Sequence, residues 1–187
     1  MLNLTNHLLI AMPTLYDSIF TRSVVYICEH DENGAMGLML TQPLDVTFER
    51  LLRSTKVKEE GFRLATGCNN QVLLGGPLKE DRGFILHGDM VNTQFSYAIT
   101  AEINLSTSMD LLAMFGTEAA PQQYLIALGY VGWSAKQLEQ ELLDNSWLTL
   151  EADADFIFTT PTHQLWQQAV TRLGFDVWQL SNQIGHA

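Results

Sequence analysis

Basic residues are scarce in this chain: ten Lys and Arg stand against 21 Asp and Glu, a formal net charge of -11 at pH 7. Sequence-independent nucleic-acid binding rests on Lys and Arg displacing counterions from phosphates, so direct DNA or RNA binding is not expected. Cysteine is scarcer still, with Cys28 and Cys68 the whole supply in 187 residues. Two cysteines make no disulfide framework, and a chain of this length buries a sizeable core without one. Long apolar runs are missing too. The run at 8–12 is short, no Lys or Arg precedes it, and nothing approaches the roughly 18 apolar residues of a membrane helix. These absences lead to the expectation of a cytosolic protein with reduced thiols and no membrane partner. The chain is 47% hydrophobic, an ordinary globular value, and its length predicts one domain over 1–187.

The charge is unevenly placed. Residues 1–82 hold ten acids and eight bases, whereas residues 83–171 hold ten acids and one base, Lys136. The second half therefore presents an acidic surface, which serves solubility or a basic partner. Five bases between Arg50 and Arg63 form the only candidate patch for nucleic acid, and Glu49, Glu59 and Glu60 dilute it.

Strand patterns are frequent. Residues 8–12, 23–30, 36–40, 72–74, 83–87, 95–105, 124–131, 147–150 and 156–158 read as strands from their β-branched, aromatic and apolar content. Asn33-Gly34 between two of them predicts a hairpin. The fully apolar run at 124–131 belongs at the centre of a sheet. Phe48, Leu51 and Leu52 share a helical face. Ser106 or Thr107 can cap a helix over 109–115, and Ser134 with Gln137 has the form of a capping box. Pro161 suits the first position of a last helix, whose stripe is Leu165, Trp166, Ala169, Val170 and Leu173. Without steady βαβ alternation the fold class is α+β. Residues 53–71 form a long loop, and such loops are functional or mobile.

Chemical motifs are thin. Gly75-Gly76-Pro77 matches no phosphate-loop pattern; adjacent glycines mark a tight turn or close backbone approach, or else a backbone anion nest. Cys28 and His30 alternate onto one strand face, but with Cys68 or His87 they match no metal-ligand spacing. No metal or cofactor is expected. Arg22, Arg82 and His87 are candidate anion-binding groups, with pairing to structural carboxylates as the alternative. Trp133, at a strand-to-helix junction, lines a pocket or packs.

Several blocks carry a resemblance over nearly the whole chain. Leu9-Ile10-Ala11-Met12-Pro13, Arg22-Ser23-Val24-Val25-Tyr26-Ile27-Cys28-Glu29-His30, Gly34-Ala35-Met36-Gly37-Leu38, Gly75-Gly76-Pro77, Arg82-Gly83-Phe84-Ile85-Leu86-His87 and Leu128-Gly129-Tyr130-Val131-Gly132-Trp133 resemble the YqgE/AlgH family of bacterial proteins. The resemblance implies a complex mixed sheet, bifurcated and folded into a pseudo-barrel flanked by helices, and a cytosolic location. Some members carry the label of a transcriptional regulator. The family supplies no catalytic residues to carry over. This chain departs from the family pattern at Lys136, where Gly is frequent, and at Thr41, where Asn is usual.

Two functional expectations follow. One is a non-enzymatic regulatory module that acts through another protein, by the acidic second half or the 53–71 loop. The other is an enzyme or small-anion binder using Arg22, His30, Gly75, Gly76, Arg82 and His87, in which case these groups must converge on one pocket.

Overall fold

Tyr124–Ser134, here β9, organises the sheet in the computed structural model, which describes residues 2–15, 18–88 and 95–174. Its aromatic and branched side chains favour extended backbone, and both of its edges are occupied. Its first half pairs in parallel with β5 (Gln71–Leu74) and antiparallel with β6 (Leu78–His87). Its second half pairs with β3 (Gly34–Met39). The sheet forks at this strand. One arm continues from β3 through β2 (Val24–Asp31) and β1 (His7–Ala11) to β10 (Trp147–Glu151). The other runs from β6 through β8 (Asn104–Ser106) to β7 (Ser96–Ala98), and β4 (Pro43–Thr47) lies on β5. The result is the expected α+β architecture: a forked, mixed sheet curled into a half-barrel and flanked by helices.

Alternation along the strands sorts the core into three clusters. Leu8, Ile10, Val24, Tyr26, Cys28 and Leu38 lie on one face, covered by α4 (Ala154–Thr159) and α5 (Leu165–Arg172). The α5 stripe, Leu165, Trp166, Ala169 and Val170, is buried there as its spacing predicts. The intervening residues Leu9, Ala11, Val25, Ile27 and Met39 face the other way, under Leu138 of α3 (Gln137–Leu143). On the second arm Val72, Ile85 and Ile126 lie under α1 (Phe48–Ser54) and α2 (Met109–Met114), which bury Phe48, Leu52, Leu111 and Phe115.

Several local expectations need correction. Residues 95–105 form a hairpin, β7–β8, because the Thr100 hydroxyl accepts from the Glu102 and Ile103 amides and turns the chain. Residues 156–158 are helical: the Asp153 carboxylate accepts from the Phe156 amide and opens α4, overriding the strand preference of Phe-Ile-Phe. Ser108, not Ser106 or Thr107, caps α2. Pro161 precedes a 3-10 turn over Thr162–Gln164, and α5 begins after it. Ser134 does not cap α3; Lys136 occupies the N-cap position with a left-handed φ of 65°, and its side chain makes no capping bond. Half of the predicted capping box survives, since Gln137 accepts from the Ser134 amide at 2.9 Å. The hairpin at Asn33-Gly34 closes between Asp31 and Gly34, so Glu32 and Asn33 occupy its loop. Strand β4 escaped notice because Pro43 opens it.

Candidate functional site

His30 and Trp133 are brought together, but under a helix. They flank Ala35 in one row across β2, β3 and β9. The Leu4 amide donates to His30 Nδ1 at 3.1 Å, so the neutral ring carries its proton on Nε2. That nitrogen faces Glu139 Oε1 of α3 at 3.4 Å. The indole nitrogens of Trp133 and Trp147 both donate to Glu141 Oε2 at 2.8 Å, and Gln137 donates to Glu141 Oε1. Both ring nitrogens of His30, both indole nitrogens and both oxygens of Glu141 have partners inside the fold. The arrangement fastens α3 to the sheet.

Cys28 and His30 do not share a face. The β2–β3 register shifts between Ile27 and Glu29, which places Cys28 in the cluster under α4 and α5 and His30 against Leu4 and Glu139. An extra residue in one strand reverses the side-chain parity beyond it. Burial raises the Cys28 thiol well above the ordinary range, with the Glu29 charge adding to the effect, so the sulfur stays protonated. Cys68 is exposed in the 53–71 loop. Among the described residues no three His, Cys, Asp or Glu side chains gather as a metal site.

The other candidates stand apart. Arg22 lies over the Trp166 ring, 5.7 Å from its centroid, while the Trp166 indole donates to the Ala11 carbonyl. Gly75 donates to the Leu128 carbonyl at 2.7 Å and accepts from the Met39 amide at 2.8 Å. A Cβ on Gly75 would strike the Gly129 carbonyl, and one on Gly76 would strike the Tyr130 backbone. The two glycines therefore let the chain cross β9 at the fork. His87 is buried in β6 opposite Tyr124 and Asn104. Thr41 accepts from the Val24 amide at 3.2 Å, a role that the oxygen of an Asn side chain could also fill.

Arg82 borders a real cleft. Helices α1 and α2 share an aromatic contact at one end, where Phe48 and Phe115 meet edge to face at 4.7 Å. Away from that contact they leave a cleft of about 520 Å³. Ile85, Ile126 and Leu128 line it from the sheet, and Leu51, Leu112 and Met109 from the helices. Polar groups at its border are few: Asp81, Arg82, Thr55, Thr107 and Ser108. The Arg82 guanidinium lies 5.3 Å from the Phe84 ring centroid. At the mouth Met109 is 53% exposed and Phe95 is 75% exposed. Phe95 also holds a left-handed φ of 62°, a conformation that costs a bulky L-residue about 1–2 kcal/mol. An aromatic ring held in water by unfavourable backbone is the kind of outlier that points to a binding role.

A larger groove of about 1350 Å³ runs between β4, residues 66–71 and residues 158–163. Its amides are already engaged. Asn69 bonds the Tyr124 carbonyl and the Gln71 amide, Asn70 accepts from the Glu49 backbone amide, and Gln71 accepts from the Thr162 hydroxyl. The 53–71 loop is likewise tied to the body. Arg53 donates to the Glu60 and Phe62 carbonyls, Lys58 to the Ala113 carbonyl, and Glu49 accepts from the Leu64 amide. The apolar cleft is the better candidate site. Sequence reading named Arg82 alone of its residues; Phe95, Met109, Leu112 and Leu51 looked like ordinary strand and helix positions, and no local signal marks them.

Comparison with known proteins agrees with this architecture. A family profile described as AlgH-like matches residues 8–178. The chain is 50% identical over 185 residues to a UPF0301 protein of Shewanella woodyi, covering 99% of each chain. It is 50% identical over 188 residues to a UPF0301 protein of Vibrio cholerae, covering 100% of each. The solution structure of the AlgH protein from Pseudomonas aeruginosa is similar, with a TM-score of 0.78 and 38% identity over 99% of this chain and 96% of that one. A crystal structure of a Corynebacterium diphtheriae protein, 17% identical, shares the fold at a TM-score of 0.71 over 89% and 85% of the two chains. No helix among the described residues is long and apolar enough to cross a membrane.

Proposed function

This chain belongs to the AlgH-like family, and from that premise we propose that it is a non-enzymatic regulatory module that docks another protein in the cleft between α1 and α2. The observation that carries the reading is Phe95, exposed and left-handed at the mouth of an apolar cleft. Partner-binding anchors are typically aromatic or Met side chains beside an apolar pocket. The placement of the polar candidates supports the same reading. An enzyme would need Arg22, His30, Arg82, His87 and the glycine turn around one substrate. Instead Arg22 rests on Trp166, His30 is sealed under α3, His87 is buried in β6, and only Arg82 borders the cleft. Any effect on transcription is exerted through the docked protein, because a charge of -11 opposes contact with nucleic acid.

Photocrosslinking in living cells tests this. A benzophenone side chain at position 109 is expected to give a discrete protein adduct that weakens when Phe95→Asp is added. The same probe at Thr149, exposed on β10, is the control. Equal labelling from both positions, or none from 109, would remove the docking role.

A further inference from the structure

We propose that Asn33 is a self-modification site, converted to aspartate and isoaspartate by the hairpin that carries it. Gly34 follows it, and no other Asn in the chain precedes a glycine. Glu32 and Asn33, the two residues of the hairpin loop, are both exposed. Glycine is what the reaction needs on the C-terminal side. Without a Cβ, its backbone nitrogen can approach the side-chain carbonyl of the preceding residue.

Asp31 supplies the rest. Its Oδ1 accepts from the Asn33 backbone amide at 2.7 Å, and its Oδ2 accepts from Asn33 Nδ2 at 3.1 Å. The Gly34 amide also donates to that carboxylate. These bonds, those from Asn33 before that from Gly34, hold the Asp31 carboxyl below the ordinary range, so it is ionised at neutral pH. One carboxylate therefore touches both the nitrogen that must lose a proton and the nitrogen that must gain one. Gly34 N attacks Asn33 Cγ while Asp31 takes the Gly34 amide proton. The new C–N bond closes a five-membered imide. The bond from Cγ to Nδ2 breaks, and that nitrogen leaves as ammonia with the proton that Asp31 returns to it. Water then opens the imide at either carbonyl, giving aspartate or isoaspartate.

Isoaspartate lengthens the main chain by a methylene just before Gly34, where there is no slack. A Cβ on Gly34 would strike the Trp133 carbonyl. Gly34 pairs with Ser134, whose amide donates to Gln137 Oε1 at the start of α3. Trp133, bonded to Glu141 of α3, is the next residue of the same strand. A displaced Gly34 disturbs this end of β9, so the modification loosens α3.

The test is incubation of the full-length chain at neutral pH and physiological temperature for several weeks. A mass gain of about 1 Da is expected in the peptide that contains Asn33. Isoaspartyl methyltransferase should methylate the same peptide. Asp31→Asn keeps an acceptor for the Asn33 amide but no base, and should slow the conversion at least about tenfold. Asp31→Ser repeats the test should the first variant fold poorly. Tryptophan emission of the unaltered chain should drift in step with isoaspartate. Asn33→Gln, whose longer side chain closes the ring far more slowly, should show neither change. Absence of conversion at position 33, or earlier conversion of another Asn, would overturn the site. Unchanged rates in both Asp31 variants would overturn the role of the hairpin. Steady emission while isoaspartate accumulates would remove the coupling to α3.

Discussion

The two arms of the forked sheet are finished differently on the face that α1, α2 and α3 cover. On the β1–β2–β3 arm, α3 closes the surface, and His30, Trp133, Trp147, Glu139 and Glu141 are bonded to one another or to backbone. On the β6–β8 arm, α1 and α2 stand apart at one end and leave Phe95 and Met109 in solvent above an apolar floor. The first arm engages His30 and Trp133 wholly in structure, while the second carries Arg82 at the border of its cleft. The second holds an apolar cleft that, among the described residues, no helix closes. Buried polar groups with full partners act as fasteners, whereas exposed apolar groups beside a cleft are unfinished contacts.

The fork itself is the severest place to break this comparison, because both arms depend on it. Gly76→Ala places a methyl group into the Tyr130 backbone, where no side chain can yield. A loss on the order of 3–5 kcal/mol is expected, enough to unfold a marginal domain. Urea denaturation would show a midpoint shift of that size, and a near-normal midpoint would contradict the close crossing.

Next in size is the closed arm. Glu141→Ala orphans two indole donors and removes charge-assisted bonds worth about 1.5–3 kcal/mol each, so a loss of roughly 3 kcal/mol is expected. Glu141→Gln keeps an acceptor oxygen and should lose less than half as much. Both changes should alter tryptophan fluorescence, since Trp133 and Trp147 share that oxygen. Equal destabilisation by the two variants would show that the carboxylate is not the fastener.

The smallest changes sharpen the contrast most. Phe95 and Lys136 both hold left-handed backbone, at φ 62° and 65°. Replacing either by Gly removes steric strain but adds unfolded-state entropy, for a net gain of about 0.5–1 kcal/mol. Phe95→Gly should stabilise the chain and abolish the adduct formed from position 109 in cells. Lys136→Gly, on the closed arm, should stabilise it and leave binding unchanged. A thermal melt with the crosslinking assay separates the two, and parallel effects on the adduct would erase the distinction between the arms.

Much of this was legible from composition and pattern. The central strand at 124–131, the β2–β3 hairpin, the α5 stripe and the α+β class follow from period-two and helical spacing, which are local properties. The Gly that the resemblance leads one to expect at position 136 would have a local reason, since that residue is left-handed. Other elements were not legible. Phe156-Ile157-Phe158 has strand composition, and only Asp153 upstream makes it a helix. The Cys28–His30 alternation failed because one extra residue at a bulge reverses parity, and side-chain identity does not announce a bulge. Within the candidate site, Arg82 drew attention by its charge, while Phe95 was hidden by its own hydrophobicity.

What the amino-acid order determined by itself is the repertoire: which segments extend, which coil, which glycines cannot carry a side chain, and a net charge that opposes nucleic acid. Those follow from backbone sterics and counts of side chains. Tertiary structure decided which chemistry is engaged and which is free. His30 and Trp133 became fasteners because α3 lies over them, and Phe95 became an exposed anchor because it borders the cleft that α1 and α2 leave open. Exposure belongs to the packed surface rather than to any residue, so no local pattern could have assigned it.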